Sequence, residues 1–167
     1  SEMCIRDRPL VAQAGPPTVD VTFYVASSQV NEGDGALTVS ATASNFPAYG
    51  GPCTIEIPLI TSGSADLNDD FSVADAILTF DFPRSPFDQS ASDSAAFNII
   101  DDAIVETDET INLQMGTPTF MGNGPACDPS DLNVSLGGGH ISTIIDNDTV
   151  QVSVVSNDPD ANEVGPD

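Results

Sequence analysis

Seven segments of this chain alternate apolar and polar residues with a period of two, and no stretch shows a 3.6-residue period. That restricts the fold to β-structure, because side chains on a strand point to opposite faces in turn and alternation gives one face to a core. Val21, Phe23 and Val25 mark the first segment, Leu37, Val39, Ala41 and Ala43 the second, and Ile55, Ile57 and Leu59 the third. Ala76, Leu78 and Phe80 mark the fourth, Ala95, Phe97 and Ile99 the fifth, and Ile111, Leu113 and Met115 the sixth. The seventh spans 139–145, with a short hairpin arm expected at 132–136. Pro58, at an outward position of the third, marks an edge or a bulge. Turn clusters separate the segments, among them Asn31-Glu32-Gly33-Asp34-Gly35 and Tyr49-Gly50-Gly51-Pro52. Seven antiparallel strands of this length predict an all-β, two-sheet Greek-key sandwich.

In such a sandwich successive strands reverse direction, so every second connection falls at the same end. Glu32 lies after the first strand, Asp66, Asp69 and Asp70 after the third, and Asp101, Asp102, Glu106 and Glu109 after the fifth. Asp146 and Asp148 follow the seventh. All are expected at one pole. Oxygen-only donors at that density suit a hard cation, Ca²⁺ before Mg²⁺. Two carboxylates ~5 Å apart repel by roughly 3 kcal/mol at an effective dielectric near 20, so such a cluster favours a bound cation or raised pKa values. Cys53 and Cys127 fall at the opposite pole, and an isolated pair in an acidic chain favours one disulfide.

The chain of 167 residues carries 26 acidic residues against three basic ones, a net charge of −23. Nucleic acid is excluded as a partner, since phosphate binding needs basic residues. Anionic membrane surfaces are disfavoured for the same reason, and no apolar run is long enough to insert into a bilayer. Residues 1–8, with two of the three Arg, look like translated sequencing adapter and are set aside. Residues 9–18 read as a signal-peptide remnant or a linker.

Five motifs in order resemble the Calx-beta domain family over residues 19–149. They are Asn31-Glu32-Gly33-Asp34-Gly35, Gly63-Ser64-Ala65 with Asp70-Phe71, Leu78-Thr79-Phe80, Asp101-Asp102 with Glu106 and Glu109, and Ile145-Asp146-Asn147-Asp148. The resemblance implies an immunoglobulin-like sandwich with Ca²⁺ held at the acidic pole. The matching ligands are Glu32, Asp70, Asp101, Asp102, Glu106, Asp146 and Asp148, followed by Asp69, Glu109 and Asn147. Asn147 stands where the family has Asp, which removes one charge. Residues 152–163 echo 21–32 at a period of 131, so residues 150–167 are expected to begin a second copy.

Motifs for nucleophilic, metalloprotease, phosphate-loop and dinucleotide chemistry are absent, as is an EF-hand loop. There is no Trp to form a sugar platform. His140, the single His, is expected on the surface of the last strand, away from the acids. The reading that follows is a non-enzymatic Ca²⁺-binding module of a secreted or cell-surface bacterial protein. It serves adhesion or cell communication beside neighbouring repeats and an unknown surface or matrix ligand. A metal-free spacer and an accessory module of an exported hydrolase are the alternatives.

Overall fold

Each alternating segment buries one row of side chains, and the rows meet between two sheets. The computed structural model describes residues 15–87 and 89–155. Its strands are β1 Thr18–Phe23, β2 Ser27–Asn31, β3 Leu37–Ser44, β4 Cys53–Gly63, β5 Phe71–Asp75 and β6 Ile77–Phe82. They continue with β7 Ala91–Ile99, β8 Glu109–Met115, β9 Thr119–Gly122, β10 Asn133–Leu136 and β11 His140–Ile145. One sheet has the order β10-β1-β3-β7-β5 and the other β2-β11-β8-β4-β6, with β9 also paired to β4. The two-sheet sandwich expected from the alternation is what the chain forms.

Ten of the eleven strands arise from the seven segments, because three segments cross from one sheet to the other; the remaining one, β9, follows the sixth segment. The first splits into β1 and β2 around 24–26. Val25, expected to point inward, is therefore 56% exposed. The fourth starts earlier than its apolar pattern suggests. β5 pairs with β7, the chain crosses at Ala76, and β6 pairs with β4. The last splits at 137–139. Residues 132–136 make no hairpin: β10 runs parallel to β1, with Val21 opposite Leu136, and β11 runs parallel to β2, with Val30 opposite Ile144. The first and last segments thus cross side by side. Gly137 permits this, since a Cβ there would lie 2.9 Å from the Thr22 methyl while its N–H donates to the Val21 carbonyl at 2.7 Å.

Pro58 marks a bulge. Leu59 lies opposite Met115 and Glu56 opposite Thr119, so residues 57–58 face the three residues 116–118 between β8 and β9. The core is continuous, with Ile55, Ile57, Leu78, Phe80, Phe97, Ile111 and Leu113 fully buried. Each such side chain contributes about 1.5–3 kcal/mol. Phe46 stacks on Phe82 with ring centroids 4.2 Å apart.

His140 is not on the surface; it is 1% exposed. It starts β11 beside the crossing. Nδ1–H donates to the Val25 carbonyl at 2.8 Å, and Nε2 lies 3.0 Å from Ser28 Oγ and 2.9 Å from Ser142 Oγ. Alternation itself turns it inward, since it shares the parity of the buried Ser142 and Ile144; the surface expectation rests on the polarity of a lone strand His. Cys53 and Cys127 are disulfide-bonded, Cα to Cα 5.3 Å, at the end of β4 away from Gly63.

Residues 150–155 form no strand, and Val150, Val152, Val154 and Val155 are exposed. The rest of the suggested second copy, and the readings made for residues 1–14, lie outside the described residues.

Candidate metal centre

The buried row of several strands runs on into carboxylates. Val30 is buried on β2, and Glu32 follows two residues later in a 3-10 turn, Glu32–Asp34. Ile144 is buried on β11, and Asp146 and Asp148 continue its parity. Ile111 is buried on β8, and Glu109 precedes it by two. Acids at these positions share the parity of the core rows, with Glu32 buried and Glu109, Asp146 and Asp148 half-buried.

The loops complete the pole through their own backbone bonds. In the β4–β5 loop the Asp70 N–H donates to the Asp66 carbonyl at 3.0 Å, and the Asp66 N–H donates back to Asp70 Oδ2. The Ile100 N–H donates to the Asp70 carbonyl at 2.9 Å, which fixes this loop to the end of β7. In the β7–β8 loop the Ile104 N–H donates to Asp102 Oδ1 at 2.7 Å. Asp146 accepts from the Glu106 N–H and the Asp148 N–H, both at 2.8 Å, and so ties that loop to the exit of β11.

Two groups result. In the first, one carboxylate oxygen each from Glu32, Asp146 and Asp148 lie within 4.8 Å of one another; in the second, so do those of Asp70, Glu106 and Glu109. The second group lines a cleft of about 360 Å³ together with Asp66, Asp69 and Asp102. Glu32 is 5% exposed, and its Oε2 has no hydrogen-bond partner; neither has the buried Oδ2 of Asp148. A buried, unpartnered carboxylate oxygen is costly. Among the described residues the one guanidinium, Arg84, follows Phe82 at the disulfide end and offers no counter-charge here.

The electrostatics follow. Burial, then repulsion from Asp146, Asp102, Asp148 and Glu106, pushes the Glu32 carboxyl above its ordinary range. Asp148 is raised by burial and then by Asp146, Asp102 and Asp101. Glu106 is raised by partial burial and then by Asp70, Asp102 and Asp146. Glu109 is pushed up to about 7 by burial, by a hydrogen bond with Asp70, and by the charges of Asp70, Glu106 and Asp66. The charge of Asp102 acts on members of both groups.

The structure therefore brings together Glu32, Asp146 and Asp148, and separately Asp70, Glu106 and Glu109. Asp102 and Asp69 line the second cleft. Asp101 belongs to neither group; its Oδ1 accepts from Asn147 Nδ2 at 3.0 Å. Two residues were under-weighted from sequence. Glu109 carried a readable signal, its shared parity with Ile111 and Leu113. Asp66 carried only its place in the connection after the third segment, and the closed β4–β5 loop turns it to the cleft.

No family model matches the sequence, and no curated protein sequence matches it either. Solved structures do match. The apo-form Calx CBD1 domain aligns over 78% of this chain and 98% of its own, at 18% identity and a TM-score of 0.57. The fold is Calx-beta-like. The Calx CBD2 domain aligns over 77% of this chain and 86% of its own, at 14% identity and a TM-score of 0.55. The calcium binding domain CBD12 of CALX1.1 aligns over 77% at 18% identity and a TM-score of 0.54, and this chain covers 44% of it. These likenesses establish the Calx-beta-like sandwich; the chemistry of the pole rests on its own residues.

That chemistry is all oxygen. The described part of the pole offers carboxylates from four chain segments and no thiolate or imidazole, which fits a hard divalent cation with flexible coordination.

Proposed function

We propose that this chain is a non-enzymatic Ca²⁺-binding β-sandwich module of a secreted or surface-attached protein. The observation that carries the reading is Glu32, whose buried Oε2 lacks a partner inside a group of three convergent carboxylates. A cation there would supply what no protein donor does. Glu32, Asp146 and Asp148 would hold one ion and Asp70, Glu106 and Glu109 a second, with Asp102 facing both. Ca²⁺ accepts six to eight oxygens in loose geometry, which suits ligands drawn from loops, whereas Mg²⁺ demands a tight octahedron.

The ion's work would be mechanical. With their charge neutralised, the β4–β5 and β7–β8 loops would close on the exit of β11, from which the chain leaves toward residue 150. The direction of that exit would then depend on Ca²⁺, and tandem modules would form a stiffened rod serving adhesion or cell communication. The likeness to a calcium binding domain supports the choice of ion. The Cys53–Cys127 disulfide supports an oxidising, extracytoplasmic setting. Calorimetric titration of the full chain with Ca²⁺ and with Mg²⁺ tests the reading: heat with Ca²⁺ that Asp146→Asn reduces by one site supports it, and no binding at millimolar Ca²⁺ refutes it.

A further inference from the structure

We infer that Asn147 is an ion-independent clip that withdraws Asp101 from the metal shell, and so sets how many ions the acidic pole holds. The inference rests on the Ca²⁺ reading above. Asn147 stands between two members of the first group, Asp146 and Asp148, yet is itself exposed, as is Asp101. Its Nδ2 donates to Asp101 Oδ1 at 3.0 Å. An amide N–H on a carboxylate is a charge-assisted bond, worth more than a neutral one. The reverse orientation would set the amide oxygen against a carboxylate oxygen, so the ion-free pole selects the donor orientation.

Gly33 makes room for the pair. A Cβ there would lie 3.1 Å from Asn147 Nδ2 and 4.0 Å from Asp101 Oδ1. The clip thus joins the start of the β7–β8 loop to the exit of β11, beside the turn after β2. Asp101 belongs to neither of the two convergent carboxylate groups, and neither residue lines the cleft of the second. Asp146 and Asp70 also accept hydrogen bonds, from backbone N–H groups, yet their oxygens still converge with those of other carboxylates; Asp101 is met by a side-chain donor and belongs to no such group. Asp101 is therefore a positioning residue, and the pole holds its ions at the two groups alone.

The test compares Ca²⁺ stoichiometry and ion-free melting for the full chain, Asp101→Asn and Asn147→Asp, with Asp146→Asn as the control for a lost ligand. Asp101→Asn keeps an amide–amide bond to Asn147. It should leave stoichiometry unchanged and weaken affinity by less than about tenfold, the lower bound for disturbing an outer-shell partner. Asn147→Asp replaces the clip with two facing carboxylates. It should lower the melting temperature in EDTA and raise Ca²⁺ stoichiometry by one. If Asp101→Asn instead loses an ion, as Asp146→Asn should, Asp101 is a ligand and the inference is overturned. Unchanged stoichiometry in Asn147→Asp also overturns it. A wild-type chain that binds no Ca²⁺ refutes the metal reading and the withdrawal of Asp101 with it. The clip itself is then judged by melting in EDTA, where Asn147→Asp and Asn147→Ala must both melt below the wild type.

Discussion

Glu32, at the exit of β2, and Asp148, beyond the end of β11, each bury a carboxylate oxygen without a partner, in a group whose oxygens converge within 4.8 Å. The parallel pairing of β2 with β11 produces this, because it carries the two strand ends to one point. Glu32→Gln keeps the shape and removes the charge. In EDTA the variant should melt higher than the wild type, since a buried, repelled charge is gone. With Ca²⁺ it should lose most of the wild-type gain. Thermal unfolding in the two buffers checks both signs.

The raised carboxyls predict an inverted pH profile for the ion-free domain. A carboxyl whose folded pKa exceeds its unfolded value binds its proton more tightly in the native state, so stability falls as pH rises through that range. The contribution is fully present below about 4.5 and is lost through about 7, the value to which Glu109 is pushed. Glu32, Glu106 and Asp148 act in the same direction. The opposite pull of Asp128, lowered by Ser130, works only below its ordinary value of 3.8. In EDTA the melting temperature should be higher at pH 5 than at pH 8. In Ca²⁺ the difference should shrink or reverse, because the cation competes with those protons.

Much of this pole was legible from sequence, for a definite reason. Strand reversal alone carried Glu32, Asp70, Asp102, Glu106, Asp146 and Asp148 to one end. Alternation also located the core rows of β3, β4, β7 and β8. What it could not show was that three segments change sheets. Tyr24, Ala76 and Gly137 lie at crossings where the inward direction itself changes, so periodicity read across the first of them misplaces Val25. The parallel pairs β1–β10 and β2–β11 follow from those crossings and were hidden for the same reason. Hydrogen bonds such as Asn147 to Asp101 join loops whose paths no local pattern encodes.

His140 should matter to stability. Replacing it with Ala would strand the Val25 carbonyl, Ser28 and Ser142 and open a cavity beside Phe23, whose ring centroid lies 5.7 Å away. A loss of about 2–4 kcal/mol is expected, combining a cavity with unpaired buried groups. Denaturant unfolding of His140→Ala measures it, and Ca²⁺ affinity should stay unchanged because the residue lies at the other end of β11.

The disulfide should stabilise the fold without touching the acidic pole. Cys53 and Cys127 are 74 residues apart in sequence, and closing a loop of that size contributes about 4 kcal/mol in the chain-entropy account. The double variant Cys53→Ser/Cys127→Ser should unfold at lower denaturant while its Ca²⁺ titration matches the wild type.

The central claim is that cations complete the acidic pole, and thermal unfolding of the full chain in EDTA, Ca²⁺ and Mg²⁺ tests it most directly. Ca²⁺ at a hundred times its dissociation constant should add ~2.7 kcal/mol per site, a rise of several degrees for a domain of this size, with Mg²⁺ giving much less. Equal melting temperatures in EDTA and millimolar Ca²⁺ would contradict the account and leave the pole as solvated loops on a structural spacer.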